Sequence, residues 1–350
     1  MTTVATTPLD AAYSAVLDAL GPFAEAKELL VGAKVRALMA GYDKIHADNP
    51  YKPIGVENTV LAPLINPETR RSSRTFSLAG KLDVIANYRG RRVIIDHKTT
   101  SDDISDPSSP YWRQLTVESQ ASHYLLLEWL NGRKCDAALW DVLRKPTIGP
   151  KKLAKAMRAS IVESGMYCGG VVSEADRKAL ADGEERETIS MFELRLLEDC
   201  IDIRPERYFQ RRPVPRMDSE LEDHAKDLWS WGQEMLWARK HKRHPTTSSS
   251  CMLYGRPCQF LGVCSGHDDI ESDQWKSKEN VHVELPELEG DGKDVLTNSR
   301  IRCFQSCRRK HYYQYELGLT PNKDEESDAL YFGNLWHVAQ EAWWKSQMED

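Results

Sequence analysis

Asp83, Asp96 and Lys98 are the residues whose types and spacing point most directly to chemistry. They lie in the stretch Leu78–Lys98, where two runs rich in β-branched and apolar residues flank a single turn-like break, Asn87-Tyr88-Arg89-Gly90. That is the pattern of a β-hairpin. With Arg89-Gly90 as the two loop residues, Tyr88 pairs with Arg91, and Asp83 falls opposite Asp96. Two carboxylates facing each other on one sheet face repel unless a cation sits between them. Lys98, two residues beyond Asp96, leaves the same face beside both acids. The run Val93-Ile94-Ile95 before Asp96 reads as a strand entering a core, not a surface hairpin. A metal site is expected here.

The surrounding elements must position that hairpin. Residues Pro8–His46 read as helix, with Val31, Val35, Leu38, Tyr42 and Ile45 in one apolar stripe. Ile54–Ile65 reads as a strand ended by Pro63 and Asn66-Pro67; Glu57 on it either joins the metal site or caps the strand's edge. Arg70, Arg71 and Arg74 follow in a loop expected beside the hairpin, where they are candidates for phosphate contacts. A helix is expected over Trp112–Leu130, with Gln120 and Tyr124 on one face at i, i+4. They would hold a nucleic-acid backbone or a nucleophilic water, or simply pack. Asp136–Leu143 reads as another buried strand. The order implies an α/β fold, a mixed sheet flanked by helices. Helical stretches follow around Lys152–Ser164, Ser190–Cys200 and Glu220–Trp237. Between the last two lies a basic segment, Arg204–Arg216, with Tyr208 and Phe209 interleaved. Its Arg211 and Arg212 are candidate nucleic-acid contacts, although a solvated edge strand would look the same. The basic run Arg239–His244 reads as a helix end.

Eight cysteines are too sparse for a disulfide scaffold. Cys251, Cys258 and Cys264 cluster in a Gly- and Pro-containing loop, with Cys307 further on. Their C-x6-C and C-x5-C spacings differ from the C-x2-C knuckles of structural zinc. Four thiolates suit an iron–sulfur cluster at least as well as zinc. Cys135, Cys168, Cys200 and Cys303 read as buried free thiols. An acidic connector, Ser265–Val295, leads to Thr297-Asn298-Ser299, a helix cap. The last helix carries His337 and Glu341 at i, i+4.

The net charge of −6 and pI near 6.0 exclude a surface that binds polyanions all over, and leave room for a local basic groove. No apolar run reaches membrane-spanning length, and the opening residues lack a basic region followed by an apolar core. The expectation is a cytoplasmic protein without signal peptide or membrane contact. No G-x-x-x-x-G-K-[ST] phosphate loop occurs, so ATP-driven unwinding would need a partner.

Taken together, these pieces resemble the PD-(D/E)XK nuclease superfamily, and within it the RecB-like exonucleases with a cysteine-ligated iron–sulfur cluster. The matching motifs are G-x-x-x-H at Gly333–His337, G-x-x-D at Gly80–Asp83, D-x-K at Asp96-His97-Lys98, and Q-x-x-x-Y at Gln120–Tyr124. Cys307-Arg308-Arg309-Lys310 matches a C-P-R-K-like sequence, and Cys251, Cys258 and Cys264 match the branch's later cysteines. The resemblance implies a restriction-endonuclease-like core with a helical insertion. It implies Mg2+ or Mn2+ held by His337, Asp83 and Asp96, with Lys98 catalytic and Gln120, Tyr124 and Glu341 completing the site. It also implies a cluster, 4Fe–4S with Zn as the alternative, on Cys251, Cys258, Cys264 and Cys307. The substrate would be single-stranded or end-containing DNA, with a helicase or recombination protein as partner. A non-catalytic nucleic-acid-binding or assembly module on the same fold is the competing function.

The motif order is rotated. In the family the cysteine-plus-His segment comes first, whereas here it follows the three-cysteine loop. A circular permutation accounts for this, as does a fragment of a tandem repeat. The expected organisation is a core sheet in 1–145, a helical and basic middle region in 146–247, the cysteine loop and connector in 248–295, and a segment in 296–350 that completes the nuclease domain.

Overall fold

The computed structural model describes residues 7–253, 255–282, 285, 292–322 and 328–348. Parts of the acidic connector and residues 323–327 lie outside the described residues. The chain opens with α1 (Pro8–Leu20) and α2 (Ala26–Ile45). The single helix expected over Pro8–His46 is thus two, because Gly21 leaves the helical region at φ 69°. Then come β1 (Tyr51–Ile65), β2 (Ser72–Tyr88), β3 (Arg91–Thr100), α3 (Pro110–Thr116), α4 (Ser119–Leu130) and β4 (Ala137–Arg144). The helix expected over Trp112–Leu130 is broken between α3 and α4. Arg216, distant in sequence, binds that break through the carbonyl of Thr116 and the hydroxyl of Ser122.

The middle region holds α5 (Lys155–Ser164), the small hairpin β5 (Met166–Tyr167) with β6 (Gly170–Val171), α6 (Glu174–Ala181) and α7 (Ile189–Glu198). These enclose a satellite core around Leu153, Ile161, Leu180 and Met191. After α8 (Pro205–Tyr208), β7 (Phe209–Val214) returns to the main sheet, and α9 (Asp218–His241) crosses its face. The cysteine loop carries β8 (Met252–Leu253), β9 (Arg256–Pro257) and α10 (Leu261–Ser265). The last segment adds β10 (Trp275–Ser277), β11 (Asp294–Leu296), α11 (Asn298–Ser306), α12 (Arg308–His311), a π turn (Tyr312–Glu316), β12 (Leu319–Pro321) and α13 (Asp328–Lys345). Thr297 caps α11, its hydroxyl accepting from the Arg300 amide.

The sheet order is β1-β2-β3-β4-β7, antiparallel except for the parallel β3–β4 pair, with β11 pairing parallel to β2. Apolar side chains cover both faces. On one, α3, α4, α9 and α11 pack over Leu82, Ile94, Trp140 and Val142. On the other, α1, α2, α7 and α13 pack over Val84, Ile95, Leu139 and Leu143, with Trp336, Trp343 and Trp344 buried. Each such large apolar side chain stabilises the fold by roughly 1.5–3 kcal/mol. This is the mixed α/β sheet between helical layers expected of a restriction-endonuclease-like core. Among the described residues, no helix is long and apolar enough to cross a membrane.

One irregularity organises the site. The β2–β3 pairing runs from Tyr88–Arg91 to Val84–Ile95 and goes no further, although both strands continue. β11 takes up β2 again at Leu78, pairing it with Leu296. Residues 79–83 of β2 therefore run between two partners. Facing also switches here, since Leu82 belongs to one core and Val84 to the other. In β1 the same switch falls at Glu57, whose φ of 56° is rare for a residue with a side chain.

Candidate active site

The hairpin loop has Arg89 at φ 52° and Gly90 at φ 84°, the left-handed geometry of a two-residue hairpin. It sets the register Tyr88–Arg91, and that register, carried one step past Val84–Ile95, brings Asp83 to Asp96. Asp83 does not simply face its partner. Its Oδ2 accepts from the His97 amide at 2.8 Å, bridging the open end of the strand pair. Burial, and then the charge of Asp96, raise the Asp83 carboxyl to about 7.

Asp96, Lys98, Gln120 and Tyr124 form one connected group. Lys98 Nζ lies 2.7 Å from Asp96 Oδ2 and donates to Gln120 Oε1 at 2.6 Å, with the Trp140 ring at 5.1 Å. Gln120 Nε2 donates to Asp96 Oδ1 at 3.2 Å and to the Tyr124 hydroxyl at 2.8 Å. The Tyr124 ring passes so close to Gly80 that a Cβ there would stand 2.8 Å from Tyr124 Cε1. The glycine of the G-x-x-D motif, which lies within β2, is therefore required by the approach of α4. His123, beside Tyr124, places Nε2 3.0 Å from the Ala79 carbonyl in the stretch of β2 that β3 and β11 leave open.

Two further charges converge on the acids. Glu57 pairs with Lys81, and the flanking register (Val56–Val84, Asn58–Leu82) sets it across from Asp83. Lys81 feels Glu57, Glu341 and Asp83 together. His337 on α13 is within reach of the charges of Asp96, Glu57, Lys98 and Lys81, and burial holds its imidazole below its ordinary value. Its ring lies 6.3 Å from that of His97. Glu341, one turn on, pairs with Lys345 at 2.5 Å. A Cβ at Gly333 would meet only Thr99 Oγ1 at 3.6 Å, an ordinary contact, so that glycine is not forced by space. Sequence reasoning missed Lys81 and His123. The signal for Lys81 was its i, i+2 spacing from Asp83 on one strand; for His123 there was none.

The arginine candidates lie elsewhere. Arg70 and Arg71 belong to the β1–β2 turn, and Arg74 is nine strand residues from Asp83, roughly 30 Å at ~3.3 Å per residue. They are not beside the site. Arg211 does not face solvent: it donates to Asp141 Oδ2 at 2.8 Å and to the Tyr42 hydroxyl at 2.7 Å, beneath the opposite face of the sheet. It is a structural ion pair, not a surface contact. Arg212 stacks on Trp112 at 3.9 Å.

The cysteines are all free. Ser250 Oγ donates to the Ser306 carbonyl at 2.7 Å, and the Arg309 amide to the Pro245 carbonyl at 3.2 Å, which fastens the cysteine loop to the Cys307 segment. Cys258 and Cys307 lie close enough to Cys264 and Cys303 for their charges to be felt. Cys251 instead directs its thiol to the Thr247 carbonyl at 3.8 Å. Cys303, expected to be an isolated thiol, is thus near the group.

A family model, PD-(D/E)XK nuclease superfamily, matches residues 4–265 and 295–350. The chain belongs to the PD-(D/E)XK nuclease superfamily. The stretch between the two matched pieces is most of the acidic connector. No curated protein and no solved structure matches the chain. PD-(D/E)XK nucleases use Mg2+ or Mn2+, and two neighbouring carboxylates, one raised to about 7 by desolvation and by the other's charge, are donors suited to such a hard cation. Among the described residues, however, no three His, Cys, Asp or Glu side chains converge so as to hold a metal ion. At the acids, Lys98 pairs with Asp96 and Lys81 with Glu57.

Proposed function

We propose that the chain is a metal-dependent DNA nuclease, an exonuclease acting on single-stranded or end-containing DNA. The observation that carries this reading is the Asp83–Asp96 pair, with the Asp83 carboxyl raised to about 7 and Lys98 fixed between Asp96 and Gln120. Asp83, Asp96 and His337 are the residues that would hold Mg2+ or Mn2+. When bound, the ion supplies positive charge to the scissile phosphate and acidifies water. Lys98 presents an ammonium group to the developing charge, and Gln120 and Tyr124 fix its direction. Lys81 holds Glu57 in place at the rim, and Glu341 adds negative charge there.

One observation favours the competing reading, a binding or assembly module without cleavage: the lysine partners of Asp96 and Glu57 neutralise the acids without an ion. Cleavage of end-labelled single- and double-stranded DNA in Mn2+ or Mg2+ separates the two. The nuclease reading expects metal-dependent cleavage that Lys98→Ala lowers by at least about a hundredfold. Equal inertness of wild type and variant, both folded, favours the module.

The thiols of Cys251, Cys258, Cys264 and Cys307 are proposed to bind a 4Fe–4S cluster, with zinc as the alternative. The proximity of Cys258, Cys264 and Cys307 supports it. Iron, sulfide and zinc per chain in anaerobically purified protein tell the metals apart. Cys258→Ser is expected to lower the metal content and the melting temperature together; unchanged content removes Cys258 from the ligand set. Circular permutation is the proposed origin of the motif order. Lys27 pairs with Asp328 at 2.6 Å near the starts of α2 and α13, and Trp343 donates to Asp43 at 2.7 Å near their ends. α13 therefore runs parallel to α2, and its last turn lies at the end of the helical layer where α1 begins.

A further inference from the structure

The C-terminal end of α9 and the π turn enclose a cleft of about 560 Å³, lined by Arg239, Lys242, His244, Arg309, Tyr312 and Glu316 among others. Its charges divide into two sets. Arg239 binds Glu316 at 2.7 Å and pairs with Asp294, while the buried Arg300 binds Asp294 at 2.5 Å and Glu316 at 3.3 Å. Two guanidinium groups and two carboxylates balance one another, so this quartet contributes no net charge to the cleft.

Lys242 and Arg309 remain. Lys242 is exposed in the left-handed cap of α9 and, among the described residues, has no ion-pair partner. The Arg309 side chain donates its Nε to the His244 carbonyl at 2.7 Å, which orients the guanidinium; among the described residues its terminal nitrogens have no carboxylate partner. Cations without a counter-charge at a concave wall are arranged to meet an anion. Beside them the His244 and Tyr312 rings stack at 4.3 Å, with an interplanar angle of 23°. Burial keeps the His244 imidazole below its ordinary value, hence neutral near pH 7, so the stacked rings form an uncharged aromatic ledge next to two cations. Fixed cations beside aromatic faces are what a single nucleic-acid strand recognises: phosphates on the former, bases on the latter.

We propose that this cleft is a phosphodiester-binding subsite that holds a nucleic-acid strand through Lys242 and Arg309, away from the acids of the active site. The inference deepens the nuclease reading, and rests on it for the choice of a nucleic acid as the anion.

The test uses the full chain and fluorescein-labelled dT20, with binding followed by anisotropy in EDTA between 50 and 200 mM NaCl. Cleavage of the same oligonucleotide in Mn2+ is measured in parallel. The variants are Lys242→Ala/Arg309→Ala and, because Arg309 also fastens a loop, Lys242→Glu alone, which removes no hydrogen bond. Losing two phosphate contacts makes the slope of log K against log[salt] shallower by roughly 1.4, at ~0.7 per phosphate on a single strand. Lys242→Glu is expected to weaken binding at every salt concentration. Wild-type affinity and slope in both variants overturn the subsite while leaving the nuclease reading intact wherever the wild type cleaves. Failure of the wild type to bind dT20 at 50 mM salt also overturns it. A shallower slope in a chain that never cleaves upholds the subsite and moves the fault to the catalytic reading.

Discussion

Two carboxylates on the strands either side of β3, Asp141 and Asp83, differ in what neutralises them. Asp141, on β4, meets Arg211 at 2.8 Å, the Tyr42 hydroxyl at 2.5 Å and His97 Nδ1 at 3.4 Å. Its carboxyl lies well below the usual carboxylate range, because the fields of Arg211 and His97 outweigh the cost of burial. Asp83, on β2, is half-buried, and its strongest charged neighbour is another acid; desolvation and then that acid raise its carboxyl to about 7. His97, between them in the chain, turns its ring to Asp141 and lends Asp83 only its amide. One carboxylate has its cation built into the fold; the other has an acid for its strongest charged neighbour. An acid with a fixed cation belongs to the architecture, whereas a raised carboxyl beside another acid marks a candidate functional site.

Two variants break this contrast. Arg211→Met strips Asp141 of its fixed cation and is expected to cost about 3–5 kcal/mol in urea unfolding, as removal of one member of a buried pair does. Adding Asp141→Asn should restore part of that loss; a cost below about 1 kcal/mol for Arg211→Met alone would make the pair dispensable. Asp83→Asn should do the reverse. Because the folded pKa of Asp83 exceeds its unfolded value, the folded state binds the extra proton between about pH 4 and 7, and stability falls as pH rises through that window. In EDTA, Asp83→Asn is therefore expected to match the wild type near pH 4 and to melt higher at pH 8, by roughly 1 kcal/mol or more, while losing metal-dependent cleavage. A lower melting temperature than wild type at pH 8 would show that Asp83 is not short of positive charge.

Much of this was legible in the chain. The Arg89-Gly90 loop sets a register, and the register sets which side chains meet, so Asp83, Asp96 and Lys98 could be grouped without coordinates. The i, i+4 spacing likewise put Gln120 and Tyr124 on one face. What failed were judgements that depend on distant partners. Arg211 looks basic and exposed beside Tyr208 and Phe209, but β4 pairs Asp141 with it directly, and no local pattern announces that. The break between α3 and α4 is held by Arg216, again far away in sequence. Arg70, Arg71 and Arg74 were misplaced because the long β1–β2 hairpin carries its turn far from the acids.

The interrupted edge of β2 has a kinetic meaning as well. Its first partner, β3, is made immediately after it, whereas β11 and the His337 helix come from the other end of the chain. Joining them closes a very long loop, a step that is entropically costly and slow. The pairing of β11 at Leu78 and the fastening of Ser250 to Ser306 subdivide that closure into shorter ones. Asp83 and Asp96 therefore meet early, and His337 reaches them last. A chain still being synthesised, or one whose final segment has come away, carries its acids and lysine without His337 beside them.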